Sequence, residues 1–487
     1  MRFALSPVAA RLASVFVLTT AMGSAHAAFE LIGIGSLSGA SDLSGLTGTL
    51  ESGVAANVLG GMGSGLAWAG GNTFLALPDR GPNATAYTGG AAVDNTTSYI
   101  ARFNTLSMNV TAMPSAVPAG TLPYTVTPTM QSTTLLWSST PLNYGSTAGL
   151  ASGVPTINAD GKYYFTGRSD GFVAGSSGNP NNARLDPESI RVSKDGKSVF
   201  LSDEYGPYIY QFDRSTGERI RSFTLPTNLA ATNQSAIGAN EISGNTVGRV
   251  ANKGMEGLAI SPDGTKLYGI MQSALLQDGG DTSAGKTNRI VEIDIATGNT
   301  KEYAVSNQIG SKGYNNSDIV AINDHTLAFL PRDGKGLGDG TSAVVKQMWA
   351  IDLNGATDVS GLSGDAALQG QLLAKTQLVD FVAQLKAAGF ADTQIPAKLE
   401  GLSFGDDLVE GGVTYHTMLL ANDNDFVPGV AGDNKFYMFR FTDADLLAKG
   451  VSGGLQMQTI NAVPEPESYA LALMGLGLIG LVRRRRA

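Results

Sequence analysis

A short apolar run, a Gly- or Asp-centred turn and a second apolar run recur along this chain. Glu188-Ser189-Ile190-Arg191-Val192-Ser193 leads through Lys194-Asp195-Gly196 to Ser198-Val199-Phe200-Leu201-Ser202-Asp203. Glu256–Ser261 leads through Pro262-Asp263-Gly264 to Lys266–Met271, and Glu400–Phe404 leads over a longer turn to Thr417–Asp423. Ser64–Trp68 with Phe74–Arg80, and Ser317–Ala321 with Leu327–Asp333, share the layout. Each copy predicts a β-hairpin. Two more strands follow the best copies, at Pro207–Asp213 and Glu218–Phe223 and at Asn288–Asp294 and Asn299–Val305. Four antiparallel strands per unit predict an all-β fold, a six-bladed β-propeller, with seven blades or a β-sandwich as alternatives. The blades fall near 64–112, 121–182, 188–226, 256–306, 317–360 and 398–446, and strands near 29–37 and 454–462 would close the ring. A helical period interrupts the pattern at 376–389: Thr376 as cap, Leu378, Phe381, Val382 and Leu385 on one face, and Gly389 as stop. It reads as a helical insertion between blades, with a catalytic lid as the alternative.

Composition agrees with a turn-rich globular fold. The 487 residues include 62 glycines, 43% hydrophobic residues and 15% charged ones. Cysteine is absent, which excludes disulfides, thiolate metal sites and cysteine nucleophiles. The net charge is −9; without the six arginines near the two ends it becomes about −15, which repels nucleic acid and suits cations.

Both ends read as addresses. Residues 1–27 carry Arg2 and Arg11, an apolar run Leu12–Met22 and a small-x-small site Ala25-His26-Ala27, predicting cleavage by signal peptidase between Ala27 and Ala28. Residues 463–487 carry Val463-Pro464-Glu465-Pro466-Glu467, an apolar stretch Tyr469–Val482 and four arginines. This order resembles the PEP-CTERM sorting signal. The resemblance implies an exosortase-type enzyme, a Gram-negative bacterium, transient membrane anchoring by the C-terminal helix and delivery to the cell surface or extracellular matrix. The remainder, 28–462, is expected to form the propeller.

A hairpin returns the chain to its starting end, and the first strand of a propeller blade usually lines the channel. One mouth should therefore collect Asp79 and Arg80, Glu188 with Asp203 and Glu204, Glu256 with Gln272, Arg332 and Asp333, and Glu400 with Asn422, Asp423 and Asp425. The turns at Gly196, Gly264 and Asp324 go to the opposite mouth. Clustered carboxylates either hold a hard cation such as Ca²⁺ or raise one another's pKa, and arginine beside a cation suits phosphate or carboxylate. Asp203, Glu188, Glu256 and Glu400 are the candidate metal ligands. Glu188, Glu256, Glu400, Arg80 and Arg332 are the candidate catalytic groups, and Asp79, Glu204, Asp333, Asn422 and Asp423 the candidate ligand-binding groups. The plainer alternative is that each Glu ties down backbone amides between blades.

The same residues resemble the phytase-like family known as "esterase-like activity of phytase". The matching pieces are Leu77-Pro78-Asp79-Arg80-Gly81-Pro82-Asn83, Asp186-Pro187-Glu188-Ser189-Ile190, Leu201-Ser202-Asp203-Glu204-Tyr205-Gly206-Pro207, Met255-Glu256-Gly257-Leu258, Ser317-Asp318-Ile319-Val320 and Lys398-Leu399-Glu400-Gly401-Leu402. The resemblance implies a propeller and, loosely, hydrolysis of phosphomonoesters or carboxyl esters. Outside the leader only His325 and His416 remain. Neither lies beside a Gly-x-Ser-x-Gly motif, which disfavours a Ser-His-Asp triad or a His-rich zinc site. Cation-assisted attack at the acidic mouth is one expectation. A non-catalytic surface or matrix protein binding carbohydrate or protein is the other. An anionic small molecule or an extracellular polymer is the expected ligand.

Overall fold

The computed structural model describes residues 28–83, 96–114, 121–145, 153–168, 179–206, 208–233, 244–280 and 285–460. The leader through Ala27, Pro464, Glu465, Pro466 and the apolar stretch 469–482 lie outside them. Among the described residues no helix is long and apolar enough to cross a membrane.

Five four-stranded antiparallel sheets make up the fold. Blade 1 runs outward through Gly65–Trp68, Thr73–Leu77, Arg102–Ala112 and Tyr124–Leu135. Blade 2 comprises Pro187–Val192, Ser198–Asp203, Tyr208–Asp213 and Arg219–Thr224; blade 3 comprises Met255–Ile260, Lys266–Met271, Thr287–Asp294 and Thr300–Ser306. Blade 4 comprises Asn315–Ala321, Thr326–Arg332, Gln347–Asp352 and Lys375–Asp380. Blade 5 comprises Lys398–Glu410, Val413–Asp423 and Asn434–Phe441, and its outermost strand is the N-terminal Glu30–Leu37. The five innermost strands neighbour one another in a closed ring, with blade 5 returning to blade 1. The protein is thus a β-propeller of five blades.

Strand alternation explains the assembly. Both faces of each sheet are covered, so successive side chains feed two different cores. In blade 1, Leu66 and Phe74 face blade 5, whereas Ala67 and Leu75 face blade 2. In blade 2, Leu201 joins the core shared with blade 1 and Phe200 the core shared with blade 3. Separate apolar clusters lie between blades 3 and 4 and between blades 4 and 5. N-terminal Leu31 and Ile32 point to opposite sides of blade 5, so the closing strand seals two cores.

Three expectations are corrected. The stretch 121–182 is not a blade: Tyr124–Leu135 is the outer strand of blade 1, and Trp137–Ser138 pairs with Tyr163–Tyr164 as a two-stranded ribbon wedged against blade 2. The helix is Phe381–Ala387, shorter than its period suggested, because Thr376 and Leu378 belong to the outer strand of blade 4. Asp380, not Thr376, caps it by accepting from the Ala383 amide. Finally, residues 454–460 form no strand; they cross the mouth opposite the acidic one.

Candidate functional site

Each innermost strand begins, and each second strand ends, at the same mouth. Glu188, Glu256 and Glu400 occupy equivalent entry positions, with Ser64 and Ser317 completing the five. A register shift falls at this position in blades 2 to 5: between Pro187 and Ile190, Met255 and Gly257, Asn316 and Ile319, and Leu399 and Leu402. Such bulges remove a residue from the ladder and re-aim its side chain.

The next position inward is small or engaged: Gly65, Ser189, Gly257, Asp318 and Gly401. A Cβ at Gly257 would come within 2.7 Å of Asp318 Cα, so the strands meet backbone to backbone. On the axis, Arg191 donates to both carboxylate oxygens of Asp318 at 2.9 Å and to the carbonyls of Leu66, Ile319 and Leu402 at 2.7, 2.9 and 3.3 Å. This buried ion pair bridges four blades beneath the mouth and makes its floor.

The mouth gathers the carboxylates of Asp79, Asp186, Glu188, Glu204, Glu256, Glu400, Asp423 and Asp425 against Arg80, Arg332 and Lys398. They divide into two groups. In the first, Lys398 Nζ donates to Asp423 at 2.8 Å and also reaches Asp425. Burial pushes Asp423 upward, but the lysine wins and holds it below the usual carboxylate range. Burial, with Asp423 adding, raises Asp79 well above its ordinary value. Asp79, Asp423 and Asp425 approach one another closely, but an ammonium already lies among them. Arg332 pairs with Glu400 and donates to Ser317 Oγ at 2.6 Å.

The second group is less fully compensated. One oxygen from each of Asp186, Glu188 and Glu204 lies within 4.8 Å of the others. Arg80 reaches only its edge, donating to Asp186 Oδ2 at 3.0 Å and lying 3.8 Å from Glu204. Glu188 is only 8% exposed, and no hydrogen bond reaches its carboxylate among the described residues. Burial is the main cause of its strongly raised pKa, with Glu256, Asp186 and Glu204 adding repulsion. Burial likewise drives Glu204 up, reinforced by Asp186 and Glu256. Glu256 receives Gln272 Nε2 at 2.8 Å on Oε1, while its buried Oε2 has no partner among the described residues. Burial and neighbouring Glu400 push it up to about 8, against the opposing pull of Arg332 and Gln272.

The fold therefore brings together Glu188, Glu256, Glu400, Glu204, Asp79, Asp423, Arg80 and Arg332. Three other sequence candidates spend their side-chain oxygens on backbone. Asp203 accepts the amides of Asp186, Tyr205 and Gly206 at 3.0, 3.2 and 3.0 Å. Asp333 accepts from Val344 and Val345 and pairs with Lys346. Asn422 accepts from the Lys435 amide at 2.6 Å. Sequence reasoning missed Asp186 and Lys398 as site residues, although each stands two residues before a ring glutamate, in Asp186-Pro187-Glu188 and Lys398-Leu399-Glu400. Both histidines sit away from the mouth: His325 pairs with Asp352 at 3.0 Å, and His416 with Asp407 and Asp443 at 2.8 and 3.0 Å.

A hard cation fits the second group. Calcium–oxygen distances of about 2.4 Å place two opposed ligand oxygens about 4.8 Å apart, the donors are all carboxylates, and Glu188 accepts no hydrogen bond among the described residues.

Comparisons with known proteins agree with this picture. The PEP-CTERM protein-sorting motif matches residues 462–486 and marks an exported protein that an exosortase-type enzyme recognises. An "Uncharacterized secreted protein" of Arthroderma benhamiae is 30% identical over 255 residues, which is 49% of this chain and 46% of the relative. The chain thus matches under half the length of that relative. Among solved structures, Kuenenia stuttgartiensis hydrazine synthase is 13% identical with a TM-score of 0.29, covering 76% of this chain and 79% of that one. A putative 6-phosphogluconolactonase of Bacteroides uniformis is 12% identical with a TM-score of 0.28, covering 76% and 83%. At these scores the solved structures carry no argument, and the fold rests on the five sheets themselves. The phytase-like family, described as "Esterase-like activity of phytase", matches residues 57–426, most of the chain and all of the acidic mouth, so the chain belongs to that family.

Proposed function

We propose that this exported protein is a cation-assisted hydrolase of phosphomonoesters or carboxyl esters, with the acidic mouth as its active site. The observation that carries the reading is the excess of negative charge in the second group: among the described residues no hydrogen bond reaches the largely buried Glu188 carboxylate and the buried Glu256 Oε2 has no partner, beside Asp186 and Glu204. Buried carboxylates in that state must take up protons or a cation. Asp186, Glu188 and Glu204 would hold Ca²⁺. A bound Ca²⁺ would supply neutralisation of a phosphate or polarisation of an ester carbonyl. Glu256, anchored by Gln272 through one oxygen, has the other available to take a proton from water once the nearby positive charge of a bound cation keeps it ionised. Arg332 and Arg80 carry the positive charge that suits a developing oxyanion.

Delivery to the cell surface or matrix favours the second reading, a non-catalytic protein that binds an extracellular polymer at the same mouth. One experiment separates them. Turnover of p-nitrophenyl phosphate or p-nitrophenyl acetate should appear with Ca²⁺ and vanish with EDTA. Cation binding with no turnover of either ester would leave the binding reading standing.

A further inference from the structure

The mouth opposite the acidic one is closed by the chain's own C-terminal segment. After the helix Asp443–Ala448, Asn323 Nδ2 in the blade 4 turn donates to the carbonyls of Ser452 and Gly454 at 2.9 and 3.2 Å. The Leu455 amide donates to Asp443 at 2.9 Å and the Gln456 amide to the Ile322 carbonyl at 2.8 Å. The segment then crosses the axis. Met457 and Ile460 line a cavity with Trp68, Val192, Ile260, Ala321 and Phe404, one residue from the inner strand of each blade. Leu455 and Met457 pack on the core between blades 4 and 5, and Ile460 on the core between blades 1 and 2. The segment therefore spans the opening from one side to the other.

Its end point limits how far the sorting tail can stand from the far mouth. Pro464 follows Ile460 by only four residue steps, a span of at most about 14 Å, and the apolar stretch at Tyr469 by nine, at most about 32 Å. We propose that residues 451–460 are a strap that seals the far mouth and makes it the membrane-facing side while the sorting tail is held. The acidic mouth, on the other side of the propeller, is then the side turned to the medium and the open entrance to the axis. This placement rests on the sorting motif and the strap, and it holds whether or not the mouth is catalytic.

The absence of cysteine makes the test direct. Two single-cysteine variants of the full chain are labelled with a fluorophore: Asp324→Cys in an exposed far-mouth turn, and Ser311→Cys in the exposed hairpin on the acidic-mouth side. Chains floating with phosphatidylcholine vesicles are compared with and without lipids bearing a headgroup quencher. The label at position 324 should be quenched several-fold more strongly than that at 311. Equal quenching, or stronger quenching at 311, would overturn the proposal. Asn323→Ala removes two of the strap's hydrogen bonds and should shrink the contrast; an unchanged contrast would show that the strap does not set the orientation.

Discussion

Glu256 shows how one residue acquires two roles from its surroundings. Gln272 fixes one carboxylate oxygen, and the fold leaves the other bare inside a ring of like charge. Replacing it with glutamine keeps the shape and removes the base. Glu256→Gln should lower kcat on p-nitrophenyl esters by about 10²–10⁴-fold with near-normal thermal unfolding; a loss below threefold would remove Glu256 from the chemistry. The raised pKa values also set a pH dependence. In the folded state Glu256 titrates near 8, far above an unfolded glutamate. Its stabilising contribution is complete below the unfolded pKa of about 4.5 and is lost as pH rises through 8. Glu188, Glu204 and Asp79 shift in the same direction. Calorimetric Tm of the EDTA-treated protein should therefore fall between pH 5 and pH 8, and saturating Ca²⁺ should abolish most of that fall. A cation-free Tm that rises over this range would contradict the assignment. The ring glutamates were legible in the sequence because they repeat. Lys398 and Asp186 were not, because their partners come from segments distant in sequence: Lys398 meets Asp423 across the blade 5 hairpin, and Asp186 meets Arg80 from blade 1.

At the scale of the element, the hairpin with its bulge is the unit that builds the mouth. The pattern predicted the hairpins of blades 2 to 4 within a residue or two, since alternation and turn chemistry are local, but in blade 5 the expected long turn is strand: Lys398–Glu410 and Val413–Asp423 run on to a tight turn at Gly411-Gly412. The bulges were invisible, because a misaligned pair is a property of two strands. Gly257 sits just inside one of them, facing Asp318. Gly257→Val forces a branched side chain against that backbone and should cost at least ~1–3 kcal/mol. It should also weaken Ca²⁺ binding by moving Glu256 and Arg191–Asp318 together. Chemical denaturation and a Ca²⁺ titration check both, and wild-type stability would mean that the inner ring is looser than its backbone contacts imply. The helix at Phe381–Ala387 illustrates the opposite error. Its apolar face was legible, but sheet pairing with Gln347–Asp352 claimed the residues expected to begin it.

For the whole molecule, the ring depends on contacts far apart in sequence. The closing strand Glu30–Leu37 pairs with Asn434–Phe441 some four hundred residues later. The blade count was overestimated because the stretch 121–182 was counted as a blade, whereas the ribbon within it only buttresses the core between blades 1 and 2. Five blades leave a narrow axis, closed below the mouth by Arg191 and Asp318 and at the far side by the strap. The acidic mouth is a cup whose charge is unbalanced. Isothermal titration of Ca²⁺ into EDTA-stripped protein at pH 7.5, in parallel with the double variant Glu188→Gln/Glu204→Gln, tests that claim most directly. Saturable binding to the wild type with release of protons, lost in the double variant, is the predicted result. No binding to the wild type, or equal binding to both proteins, would contradict it.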